Sequence, residues 1–164
     1  MTVSSKRMHQ ITDASAAIWG GVIAGIAFLI IQLGMATWLF GSNIWIVFRW
    51  NAAIIMGQDV LSPPHDFNFI IVLVGLIVHF TLSISFSLLI AFIIHRWGLL
   101  VGIIGGGLLG LGLYAINFYT MTLFFPWFFP IRNWLMVVGH ITFGAVAGGI
   151  YEALEVEEFV PVEE

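Results

Sequence analysis

Long apolar runs and short polar breaks alternate along the chain. Four runs stand out, at 15–40, 68–94, 99–125 and 135–154. Each supplies the roughly 20 residues that a helix needs to cross about 30 Å of hydrocarbon. Their hydrophobic residues are continuous rather than alternating, and the runs are too long for the two-faced strands of a membrane barrel. Lipid offers bare backbone groups no partner, so a spanning segment must satisfy its own, as a helix does. The pattern predicts an all-α, polytopic four-helix bundle over 15–154, preceded by a polar segment, 1–14, and followed by an acidic tail, 155–164.

The breaks say how the spans are joined. Between the first two lies GSNIWIVFRWNAAIIMGQDVLSPPHDF, too long for a tight turn and too apolar for a plain loop. Ser42 or Asn43 can cap a short helix over 44–56. Trp45, Arg49 and Trp50 suit a helix lying in the membrane interface, where indoles and snorkelling arginines are favoured. Ser62-Pro63-Pro64 ends it, and Asp66 is the expected cap of the second span. Spans two and three are joined only by His95-Arg96-Trp97-Gly98, which makes them an antiparallel hairpin. Pro126 and Pro130 mark the turn before the fourth span. The first run, at 26 residues, exceeds the roughly 7–15 of a signal-peptide core and reads as an uncleaved span.

Composition agrees. Of 164 residues, 60% are hydrophobic and 9% charged, whereas a soluble domain is about half apolar and about a quarter charged. The absence of cysteine removes disulfides and thiolate metal sites. The net charge of −4 comes largely from the terminal EALEVEEFVPVEE, and five Lys+Arg make no basic patch for nucleic acid. Lys6, Arg7 and Arg96 fall on one side of the spans, Arg49 and Arg132 on the other. The excess of cations predicts both termini in the cytoplasm.

Polar residues inside hydrocarbon are costly and so informative. Gln32 lies eight residues from Phe40, Asn117 eight from Phe125, His79 eleven from Asn68 and His140 five from Leu135. At 1.5 Å per residue, all four fall roughly 8–17 Å below the outer boundary. Each continues a stripe of small or weakly polar residues at steps of three and four, hence on one helix face. The stripes are Gly21-Gly25-Phe28-Gln32, Gly75-His79-Ser83-Ser87, Gly106-Gly110-Tyr114-Asn117 and His140-Gly144-Gly148. Small residues four apart also let membrane helices approach closely. The expected intramembrane polar cluster is Gln32, His79, Tyr114, Asn117 and His140. A charged and aromatic patch is expected on the outer face, from Arg49, Asp59, Asp66, Trp127, Arg132 and Trp134, as interfacial anchors, an ion pair, or an anion or lipid-headgroup site.

Four roles are open to His79 and His140. They can lock the bundle by hydrogen bonds to carbonyls or amides. They can ligate a b-type haem axially, which needs two imidazoles facing across a slot. With Asn117 and Tyr114 they can line a proton or cation path. With Met35, Met121 or Met136 they can form a copper site. No GxSxG, P-loop or HExxH pattern is present, so no enzymatic activity is expected.

The order VHFTLSISF (78–86), FPWF (126–129), GHITFG (139–144) resembles small, uncharacterised four-span bacterial inner-membrane proteins, some loosely labelled sodium:proline symporter-like. It is more distantly similar to the YagU type. The resemblance implies a bacterial inner membrane. The expected function is an accessory or assembly subunit of a larger membrane complex, a respiratory one among the candidates. Its partners would be membrane lipid and other membrane subunits or further copies of itself. The alternative is a haem- or metal-binding or proton-conducting bundle centred on His79 and His140.

Overall fold

The computed structural model describes residues 8–95, 97–156 and 158–161. Lys6, Arg7 and Arg96, three of the cations on which the predicted orientation rests, lie outside the described residues, as do 157 and 162–164 of the acidic tail.

Five α-helices form the body: α1 (Ala14–Trp38), α2 (Trp45–Met56), α3 (Phe69–Ile94), α4 (Leu99–Ala115) and α5 (Trp134–Leu154). The stretches Ala14–Trp38, Phe69–Ile94, Leu99–Leu123 and Trp134–Leu154 are long and apolar enough to span a bilayer, making this a multi-pass membrane protein with a helical body. Their starts follow local chemistry. Asp13 caps α1 by accepting from the Ala16 N–H at 3.0 Å. Asn68, not the expected Asp66, caps α3 through the Ile71 N–H. Asn133 caps α5 by accepting from the N–H groups of Leu135 and Met136. In each case a side-chain oxygen satisfies an N–H that the first helical turn leaves unpaired. The third span changes pitch: beyond Ala115 it continues as a π-turn, Ile116–Thr120, and a 3-10 turn, Met121–Leu123. A further 3-10 turn, Pro126–Ile131, leads to α5.

Glycine decides which helices touch. A Cβ on Gly106 or Gly110 of α4 would run into the carbonyls of Gly144 or His140 on α5, and one on Gly148 into that of Gly102. On the other flank of α5, Gly20 of α1 lies against the Ala147 carbonyl. Gly21 and Gly25 of α1 face Ile84 and Ser83 of α3. The helices thus run α3, α1, α5, α4 in space, with α5 between α1 and α4. Close contact between α3 and α4 is sparse; Ile94 meets the Gly105 position at the hairpin end.

The short helix expected at 44–56 is present as α2. Every residue from Ile46 to Ala53 is buried, because Gly75 of α3 lets the Phe48 carbonyl come within backbone distance. It lies deeper in the protein than aromatic anchoring alone requires. The buried apolar residues fall in two groups. One, at the end of the bundle where the described chain begins and ends, includes Ile90, Ala91, Ala147 and Tyr151; the other, at the opposite end, includes Met35, Val47, Trp50 and Phe118.

The polar N-terminal segment and the acidic tail meet. A strand, β1 (Met8–Ile11), pairs antiparallel with β2 (Glu158–Pro161), Met8 opposite Pro161 and Ile11 opposite Glu158. Part of the acidic tail is therefore tied to the N-terminal segment.

Candidate intramembrane binding site

The four polar side chains expected at one depth do meet. Gln32 of α1, His79 of α3, Asn117 of the π-turn and His140 of α5 line a single cavity of about 200 Å³. Tyr114 does not line it. Its ring packs edge-on behind His140 at 5.6 Å, beside Phe118 at 5.1 Å. Two further polar residues at the cavity were outside the predicted cluster: Ser83, which the α3 stripe had included, and Asn51 of α2, which had been assigned to an interfacial helix.

Hydrogen bonds fix the protonation pattern. His79 Nε2 lies 2.9 Å from the Gly25 carbonyl. A carbonyl only accepts, so this nitrogen carries the proton and Nδ1 is the acceptor. In His140 the arrangement is reversed: Nδ1 donates to the Met136 carbonyl at 2.7 Å. Its Nε2 then accepts from Asn117 Nδ2 at 3.2 Å, which leaves the Asn117 oxygen free to accept. Asn51 Nδ2 donates to the Val47 carbonyl at 3.0 Å, so its oxygen is likewise an acceptor. Gln32 differs. It is 6% exposed, and its Oε1 is buried without a partner.

Phenylalanines make up most of the remaining wall. Phe28 touches both imidazoles, edge-on to His140 at 4.7 Å and roughly parallel to His79 at 6.2 Å between centroids. Phe86, Phe118, Phe125, Phe128 and Phe143 complete the aromatic lining. The lining contains no Asp, Glu, Lys or Arg.

This geometry bears on the haem and copper readings. Axial ligation needs two free imidazole nitrogens facing across a macrocycle. Here both nitrogens of His140 are hydrogen-bonded and the Phe28 ring packs on the two imidazoles, so the site does not fit a haem. Of the candidate thioethers, Met121 and Met136 line the cavity. Met35 is buried in the outer core, its sulfur accepting from Asn133 Nδ2 at 3.1 Å. Among the described residues, no three His, Cys, Asp or Glu side chains gather as a metal site.

The outer-face residues have separate surroundings. Arg49, 8% exposed, donates to the main-chain carbonyls of Val60 at 2.7 Å and Asp66 at 2.9 Å. It ties α2 to the following loop, in place of the expected headgroup anchor, while the Asp59 and Asp66 side chains are exposed. Arg132 lies over the rings of Tyr119 and Phe129, 4.7 and 4.6 Å from their centroids. Trp127 is half-buried with an unpartnered Nε1, and Trp134 is exposed. No family model, curated protein or solved structure matches this chain.

Proposed function

We propose that this protein is a membrane-embedded binding protein whose cavity takes a small, uncharged, mostly apolar molecule from the bilayer. The observation that carries the reading is a phenylalanine-walled cavity onto which polar groups from α1, α2, α3, α5 and the π-turn converge. Pockets for small molecules have this character: apolar walls with a few placed polar groups. Engineered apolar cavities of about 150 Å³ admit benzene, so a single ring with a substituent suits the volume here. Charged occupants are disfavoured, because nothing in the lining offsets the loss of hydration.

Two features supply a route from lipid. No glycine seam joins α3 to α4 away from their hairpin, and the lining residues on that side, Leu82 of α3 and Asn117 and Met121 beyond α4, are partly exposed. We place the protein in a bacterial inner membrane with cytoplasmic termini, on the charge asymmetry and the resemblance given above. The accessory-subunit reading is the alternative, and a larger complex recovered intact with the chain in mild detergent favours it.

The test is saturable binding of fluorobenzene to the purified protein in nanodiscs, followed by fluorine NMR. Leu113→Trp, which fills the cavity, and Met121→Trp, which blocks its side, are expected to abolish the saturable component. The reading fails if the wild type shows only the linear partitioning of empty nanodiscs, or if neither folded variant reduces binding.

A further inference from the structure

We infer that the cavity selects occupants bearing a hydroxyl on a single apolar ring, a phenol in the simplest case, over equally sized ethers and hydrocarbons. This rests on the binding reading above and adds the chemical class of the ligand.

With Nε2 committed to the Gly25 carbonyl, His79 can offer an occupant only Nδ1, and Nδ1 accepts. With one N–H each committed to His140 and Val47, Asn117 and Asn51 retain an oxygen and one N–H. Gln32 has its amide oxygen without a partner, and a half-turn of the amide exchanges oxygen for nitrogen. The neutral lining therefore combines an acceptor-only nitrogen with amides able to give and take. An occupant that brings only acceptors, such as an ether or a ketone, leaves His79 Nδ1 dry. A hydrocarbon leaves every one of these groups dry. A buried group without a partner costs about 1–3 kcal/mol. A hydroxyl is the smallest substituent that can donate to Nδ1 and accept from an amide N–H at once. The six phenylalanines, with Phe28 already edge-on to His140, favour a flat ring as its carrier, since aromatic pairs gain from offset and edge-to-face packing.

Affinity for 4-methylphenol, 4-methylanisole and toluene, each measured in nanodiscs against the empty discs, tests this. The phenol is expected to bind roughly tenfold tighter than the other two, the effect of one buried hydrogen bond. In protein labelled with nitrogen-15 on histidine, the His79 Nδ1 resonance should move with the phenol and stay put with the anisole. Gln32→Leu, which retains the volume, should lower the ratio of phenol affinity to toluene affinity. Equal affinity for all three compounds, or an unmoved Nδ1 resonance at phenol saturation, overturns the inference and leaves the binding reading standing. If none of the three binds saturably, both fall together.

Discussion

At the N-terminus of α1, the two oxygens of Asp13 have different partners. Oδ1 accepts from the Ala16 N–H, and Oδ2 from the Val156 N–H at 3.1 Å, beyond the end of α5. One carboxylate thus caps the first span and holds the chain leaving the last. The Ala16 bond is the main cause that keeps this carboxyl below its ordinary value of 3.8; partial burial opposes it, and the N–H groups of Val156 and Ser15 add to it. A group whose folded value is depressed stabilises the fold above its unfolded value, and that stabilisation is lost as pH falls through the folded value. Asp13→Ala should cost about 1 kcal/mol at neutral pH, the usual worth of a cap. The gap between wild type and variant in denaturation midpoint should be constant above about pH 5 and close at lower pH. A gap that persists unchanged to about pH 2 would contradict this origin. Of the polar residues, Gln32, His79, Asn117 and His140 were legible in sequence because depth along a helix can be counted and facing follows from steps of three and four. Tyr114 obeyed the same rule yet points behind His140, since the pitch change beyond Ala115 falls between it and Asn117. Asp13 was illegible in its second role, because its partner is 143 positions away.

Among the elements, the α4–α5 seam is the tightest, and the glycine spacing announced it. Gly102, Gly106 and Gly110 meet Gly144 and Gly148 with carbonyls in the space that side chains would occupy. Gly144→Ala must push the helices apart, at a cost of about 1–3 kcal/mol typical of overpacking. Gly112, on α4 but off the seam, has nothing within 4 Å of a Cβ, so Gly112→Ala should be neutral or stabilising, given alanine's higher helix propensity. Unfolding of both variants in detergent would show whether loss of stability tracks the seam or glycine content alone; equal effects would refute the seam. Helix α2 was harder to read. Its sequence, WIVFRWNAAIIM, has arginine between aromatics, which suits an interface equally well. What buries it is Gly75 on a different helix, together with the carbonyls of Val60 and Asp66 that receive Arg49. Asn51 was missed at the cavity for the same reason: its position depends on where α2 docks, and nothing local encodes that.

For the whole molecule, an even number of spans puts the two ends on one side, and the pairing of β1 with β2 joins them there. The chain has no cysteine, so single substitutions make clean reporters. Val156→Cys should react with a membrane-impermeant maleimide only after cells are permeabilised, and Ser62→Cys should react in intact cells. The opposite result would invert the orientation drawn from the cations.

The central place of α5 has a consequence for how the protein is made. Helices α1 and α4 meet mainly through α5, and α5 is the last of these four spans in the order of synthesis. Until Trp134–Leu154 leaves the ribosome, the nascent chain holds three spans in the bilayer with the glycine face of α4 turned to lipid. A chain cut short before Trp134 should therefore leave the glycine face of α4 without the helix it packs against.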